Sequence, residues 1–209
     1  AAAADGFDPN APLLSVKDLT VEFPTDDGVV HAVDNVSFEL RRDETLGIVG
    51  ESGSGKSVAS MAILGLLPKS ARITGDVRFM GRPILGLPEK ELDELRGARI
   101  AMIFQDALAA LNPVFKVGKQ IAEAITVHQS LGAKELQARV VELLEIVGIP
   151  NPVERAEQYP HEYSGGMRQR AMIAMSIANQ PDVLIADEPT TALDVTIQAQ
   201  VLEVLERIQ

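Results

Sequence analysis

Residues 45–57 read TLGIVGESGSGKS, and an apolar stretch, VASMAILGLL (58–67), follows. Few folds accommodate that order. Gly50, Gly53 and Gly55 let the backbone curl with successive N–H groups turned inward, and a helix starting near Lys56 adds its positive end. The loop is therefore suited to hold a phosphate. Gly50–Ser57 fits G-x-x-x-x-G-K-[ST] in full, which assigns Gly50, Ser52, Gly53, Ser54, Gly55, Lys56, Ser57 and the adjoining Val58 to a bound triphosphate. Lys56 would reach the β- and γ-phosphates, and Ser57 would offer a hydroxyl to Mg²⁺. A glycine turn before a helix is the plainer reading. The strand-like run before the loop and the apolar helix after it are the context that the phosphate reading requires. TLGIVG is expected as a central parallel strand and 58–67 as a buried helix, since ten residues are half of the ~20 that a bilayer demands.

Two further apolar runs end in polar residues, RIAMIFQ (99–105) and DVLIADE (182–188). In open α/β sheets ligands sit at the carboxyl ends of the strands. Asp187 at such an end suits Mg²⁺, and Glu188 one step on suits a general base for an attacking water. Gln105 can ligate Mg²⁺ or hold the lytic water without adding charge. Many buried strands end in acids; the phosphate loop is what gives these ends meaning.

Residues 13–49 are β-rich: Leu19, Val21 and Phe23 alternate, as do Val36, Phe38 and Leu40, with PTDDG (24–28) as a turn. Beyond Gln105 the period lengthens. Leu136, Val140, Leu143, Leu144 and Val147 mark one helical face, stopped by Gly148 and Pro150. Val117, Ile121 and Ile125 form a stripe before it. A last helix starts near Asp194 with Ile197, Val201, Val204, Leu205 and Ile208 on one side.

HEYSGGMRQR (161–170) resembles a phosphate holder without a lysine. Ser164, Gly165 and Gly166 offer a hydroxyl and two residues lacking Cβ before a helix. One reading is a helix cap with Ser164 at the N-cap. The other is a contact to a nucleotide bound by a neighbouring copy, with two chains facing head to tail.

Composition narrows the classes. The 209 residues suffice for one domain or a core with a subdomain. They are 46% hydrophobic but only 4% aromatic with no Trp, so the core is aliphatic. A formal net charge of −11 disfavours a general nucleic-acid binder, which needs a basic face. With no cysteine, disulfides, zinc–thiolate sites and iron–sulfur clusters are excluded within the chain, and an intracellular setting is compatible. AAAADGFDPNAP (1–12) is expected as a disordered tail or tag remnant.

With these elements in this order, residues 13–209 resemble an ATP-binding cassette (ABC) transporter ATPase. GESGSGKS matches the family's Walker A motif, VLIADE its Walker B, YSGGM its signature (usually LSGGQ), TALD (191–194) its D-loop and Gln105 its Q-loop. Longer stretches, among them IFQDALAALNPVFKVGKQIAEAI, are similar to the ATPases of bacterial dipeptide and oligopeptide importers, the group that also holds nickel importers. The resemblance implies an α/β fold: a P-loop NTPase (RecA-like) core, an N-terminal antiparallel β subdomain, and an α-helical subdomain at about 106–176, with the last strands of the core missing. It implies ATP and Mg²⁺, the latter on Ser57, Gln105 and Asp187. ATP would be sandwiched between Walker A of one domain and Ser164, Gly165, Gly166 and Met167 of a second ATPase domain, a separate copy, a paralogue or a tandem domain of one polypeptide. Phe23 would stack on adenine, and Asp194 would communicate across the dimer. The implied setting is the cytoplasmic face of the cell membrane, under two permease subunits that meet the helical segment, with an extracytoplasmic binding protein delivering peptide.

The chain departs from the family's pattern at Met167 (usually Gln), Asp43 (usually Gly) and Ala107 (usually Pro). The family's switch histidine lies one strand beyond the last helix, whereas His31, His128 and His161 all precede Walker B. The sequence is thus expected to be part of a longer polypeptide. Two other readings are an ATP-binding half-site that leaves hydrolysis to a partner, and a non-transport cassette regulating a partner. Intact Lys56, Ser164 and Glu188 speak against the first, and short helices where DNA-repair relatives insert a coiled coil speak against the second.

Overall fold

The alternating apolar residues near the N-terminus form a long hairpin, β1 (Leu14–Thr25) and β2 (Gly28–Leu40), closed by Asp26 and Asp27 with Thr25 opposite Gly28. The computed structural model describes residues 6–106, 110–190 and 195–208. They fall into two compact units, Ala1–Asp93 and Glu94–Gln209.

In the first unit β3 (Arg72–Phe79) and the short β4 (Arg82–Pro83) complete an antiparallel sheet in the order β2-β1-β3-β4. Period-two patterning buries one side of it: Val16, Leu19, Val21, Val77 and Phe79 are inaccessible to water. The β1–β3 register slips between Lys17 and Thr20. Gly75 makes this possible, because at φ 116° its missing Cβ would stand 2.7 Å from the Lys17 carbonyl oxygen. Helix α1 (Lys56–Ile63) packs Ala59, Ala62 and Ile63 inward. This is the buried helix expected after the glycine loop.

Two expectations need correction here. The run TLGIVG is not a strand: among the described residues 44–50 carry no regular structure, and Leu46, Ile48 and Val49 are exposed, Val49 at 98%. The unit's ladders are all antiparallel and none reaches this run. Its apolar character signalled burial but named no partner strand. Residues 6–12, expected as tail, are docked: the Phe7 ring meets Phe79 edge-on at 5.5 Å, the Arg82 guanidinium lies over Phe7, and the Asp8 N–H donates to the Met80 carbonyl.

The second unit is built on two parallel strands, β5 (Ile100–Ile103) and β6 (Val183–Ala186), paired Ile100 to Val183 through Ile103 to Ala186. Helix α2 (Glu89–Leu95) precedes them in sequence. Five helices complete the unit: α3 (Val117–Thr126), α4 (Ala133–Ile146), α5 (Pro152–Ala156), α6 (Gly165–Ser176) and α7 (Val195–Ile208). Their stripes meet as the periodicity predicts. Val117, Ile121 and Ile125 of α3, Val140, Leu143 and Leu144 of α4, and Ala171 and Ile173 of α6 share one core with Ile103, Val201 and Val204. The helical segment therefore has no core separate from the strands. Each fully buried aliphatic side chain contributes about 1.5–3 kcal/mol by leaving water. The side chains of Ile197 and Ile208 lie outside the described set.

Helix α4 ends as its sequence indicates. Gly148 sits at φ 71°, its N–H reaches the Glu145 carbonyl, and the Ile149 N–H reaches that of Leu144. This pair of bonds is a Schellman closure, with Ile149 and Leu144 both buried. Buried Gln120 holds the turn before α3: Oε1 accepts from the Asn112 N–H, and Nε2 donates to the Asn112 and Phe115 carbonyls.

Two stability measurements follow from the backbone. A Cβ on Gly118 would lie 2.7 Å from the Ala156 carbonyl oxygen. Gly118→Ala is therefore expected to cost about 1–3 kcal/mol in chemical denaturation, because α3 and α5 must separate. Asp43 occupies the left-handed region at φ 56°, where the side-chain-free residue is at ease. Asp43→Val should cost roughly 1–2 kcal/mol, whereas Asp43→Gly should stay within about 0.5 kcal/mol of the parent.

Candidate functional site

The first unit holds the phosphate loop. Gly53 and Gly55 lie at φ 81° and 91°, and a Cβ on Gly55 would collide with the Ala32 carbonyl oxygen of β2 at 2.1 Å. A Cβ on Gly50 would press on Ser54 Oγ at 2.5 Å. The loop is thus seated on the hairpin, with glycine required at Gly55. Lys56 Nζ donates to the Gly50 and Glu51 carbonyls, each at 2.9 Å, and so spans the mouth of the loop. No side chain caps α1 at Gly55, so the N–H groups of its first turn are not claimed by a cap. Ser52 and Ser54 are exposed, and Ser57 and Val58 are half-buried in that first turn. These features fit an anionic ligand with several oxygens. Phe23, half-buried on β1, lies opposite Val30, and Val29 and Val30 are about half exposed at 47% and 52%. An apolar spot of this kind suits a flat ring.

In the second unit the strand register decides which side chains meet. Gln105 and Glu188 each stand two residues beyond the paired Ile103 and Ala186. The Asp187 N–H donates to the Ile103 carbonyl at 3.0 Å, so the pairing continues into the polar ends. Gln105 Nε2 donates to Glu188 Oε2 at 3.1 Å. Glu188 lies at φ 46°, in the left-handed region that side chains of its kind seldom adopt, and such positions concentrate at functional sites. At the opposite strand ends Arg99 pairs with Asp182. Opposite charges tie one end of the pair, and the acids Asp187 and Glu188 stand at the other.

Ser164 is the N-cap of α6, its hydroxyl accepting from the Met167 N–H at 3.3 Å. The capping reading is therefore realised. Gly165 is exposed, and an added Cβ there would meet nothing within 4 Å. Gly166 and Met167 are buried, so Met167 turns its side chain to the core. The preceding Tyr163, also buried, donates its hydroxyl to the Arg155 carbonyl at 2.8 Å, and burial pushes its pKa up to about 12. It stays a neutral donor and fixes the approach to the cap. Arg170 donates to the Gly148 carbonyl, joining α6 to the end of α4. Asp194 and Ala107 lie outside the described residues.

Tyr163 and Gln120 were not predicted from the sequence. A polar residue at the edge of an apolar stripe was their sole signal. Buried Gln169 on α6 was missed too; its Nε2 has no hydrogen-bond partner among the described residues.

Among the described residues no three His, Cys, Asp or Glu side chains group as a metal site. Mg²⁺ bound with phosphates takes one or two protein oxygens and completes its shell with phosphate and water. Ser57, Gln105 and Asp187 fit that role by donor type. No described helix is long and apolar enough to cross a membrane.

Known proteins are similar to this chain. The chain is 54% identical over 199 residues to the oligopeptide transport ATP-binding protein OppD of Bacillus subtilis (strain 168), covering 94% of this chain and 56% of that protein. It is 54% identical to the dipeptide transport ATP-binding protein DppD of the same organism, covering 94% and 59%. The chain thus spans under three-fifths of the length of these relatives. Among solved structures, the ATP-binding cassette MJ0796, dimeric in a post-hydrolysis state bound to ADP and Pi, superposes with a TM-score of 0.81 at 26% identity, covering 93% of this chain and 82% of that one. The family pattern described as ABC transporter matches residues 33–191. That match takes in the phosphate loop, the acid-tipped parallel strands and the glycine-tipped helix, and the chain belongs to the ABC transporter family.

Proposed function

We propose that this chain forms the ATP-binding and hydrolysing part of an importer for dipeptides or oligopeptides. The observation that carries the chemistry is the meeting of Gln105 and Glu188 beyond the paired ends of β5 and β6, beside Asp187. The names of the relatives support the peptide cargo.

In this reading the backbone N–H groups of residues 50–57 take the phosphates, and Lys56 exchanges its two carbonyl partners for phosphate oxygens. Exchange of neutral acceptors for charged ones strengthens each of those hydrogen bonds. Phe23 stacks on the adenine. Ser57, Asp187 and Gln105 are the residues that would hold Mg²⁺, which would supply charge stabilisation to the phosphates. Glu188 accepts the proton of the water that attacks the γ-phosphorus. Ser164 and Gly165 address the γ-phosphate on a second ATPase domain. Asp194 is proposed to relay the state of one domain to the other.

The partners proposed are that second domain, two membrane permease subunits and an extracytoplasmic peptide-binding protein. The chain would then work at the cytoplasmic face of the cell membrane.

Two measurements on the full-length protein test the assignment. Glu188→Gln should retain ATP affinity within about threefold while turnover falls by 10²–10⁴, because the amide cannot accept the proton. Undiminished turnover would remove Glu188 from the chemistry. Lys56→Ala should weaken ATP binding itself at least about tenfold in a titration with labelled nucleotide, since two charge-assisted bonds are lost.

A further inference from the structure

Buried polar side chains nearly always have a hydrogen-bond partner, and an exception asks for a reason. Gln169 on α6 is such an exception. It is 4% exposed, and its Nε2 has no hydrogen-bond partner among the described residues. Gly166, Met172 and Ile173, three or four residues away on the same face of the helix, are all buried. A donor taken out of water without an acceptor costs free energy, and an apolar side chain of the same length carries no such cost. By its packing alone, position 169 is better served by methionine than by glutamine.

Two contacts at the other end of α6 fix where this donor stands. Ser176 Oγ donates to the Met102 carbonyl at 3.1 Å, and past the helix Asn179 Nδ2 donates to the Gly97 carbonyl at 3.3 Å. From Ser176 to Asn179 the partners thus move back from Met102 to Gly97, so α6 runs opposite in direction to β5. Gln169 precedes Ser176 by about two helical turns and shares its face. That distance is about 10 Å along the axis, equal to roughly three strand residues past Met102. The unpartnered amide is therefore level with the carboxyl ends of β5 and β6, beyond which Asp187 and Glu188 stand.

We infer that Gln169 is a positioning residue: when nucleotide and cation are bound, its amide N–H takes as acceptor an oxygen at these strand ends and so registers α6 against them. This rests on the reading of Asp187 and Glu188 as acids of an ATP site and adds a ligand-linked bond to it. The free-energy difference between the unpaired and the paired amide then adds to the affinity for the ligand. The same helix carries Ser164 at its tip, so a bond at Gln169 would also orient that tip relative to the loaded edge.

Gln169→Met tests this, because it keeps the length of the side chain and removes its polar atoms. Two quantities would be measured in the full-length protein: the urea midpoint without nucleotide, and the Kd for ATP with Mg²⁺. Expected are a midpoint equal to or above that of the parent, since an unpaired donor is gone, and ATP binding weakened about 5- to 10-fold, the ratio given by one ordinary buried hydrogen bond. A midpoint below that of the parent, or a variant that does not fold, means that the amide is already paired without ATP and overturns the inference. An ATP affinity within twofold of the parent overturns it as well. Lys56→Ala measured in parallel keeps the two ideas apart, because undiminished ATP affinity there refutes the phosphate-loop reading whatever Gln169→Met does.

Discussion

A parallel strand pair brings the same end of both strands to the same edge, and that constraint organises the chemistry of the second unit. Antiparallel neighbours would have set Gln105 beside Asp182 and left Glu188 beside Arg99. The parallel register from Ile100–Val183 to Ile103–Ala186 instead delivers Gln105, Asp187 and Glu188 together. Parallel strands need a long crossover, and here residues 104–182 provide it. The helices of that crossover also supply the core that buries Ile103, so the connection and the support are one structure. The Arg99–Asp182 pair completes the polarity by neutralising the end where no chemistry is expected.

In the first unit the corresponding constraint is steric. Gly55 rests on the Ala32 carbonyl, which fixes the end of the loop against the hairpin. Lys56 then has two acceptors within the loop itself, the carbonyls of Gly50 and Glu51. This arrangement keeps the ammonium at the mouth before any ligand arrives. Less side-chain freedom remains to be lost on binding, which is the entropic content of preorganisation.

Patterns of single residue types were legible in the sequence, and partners distant along the chain were not. The period of α4 and its stop at Gly148 were readable because both are local: a stripe at helical spacing and a glycine at positive φ. The acid-tipped strands were readable because apolar runs ending in carboxylates are contiguous. The strand expected at TLGIVG failed for the opposite reason. Hydrophobicity reports a demand for burial, but a ladder depends on which other strand arrives, and sequence periodicity is silent on that. The docking of Phe7 on Phe79 and Arg82 was invisible likewise, since the alanine-rich start dominated the composition. The hydrogen bond between Gln105 and Glu188 needed the register of β5 on β6, although both residues had been singled out one by one.

Some glycines are required by the chain's own packing, and Gly165 at the start of α6 is not among them. Gly55, Gly75 and Gly118 each lie against a backbone oxygen closer than any Cβ allows, so internal packing accounts for them. Gly165 is different: its φ is ordinary and the space a methyl would fill is empty. Alanine would serve the start of α6 better by helix propensity, at about 1 kcal/mol per site in a helix interior. The neighbouring Ser164 already satisfies the Met167 N–H, so capping does not call for glycine either. The capping role and the phosphate contact proposed for Ser164–Gly165 are thus compatible: the serine secures the helix end, and the glycine leaves the surface beside it open.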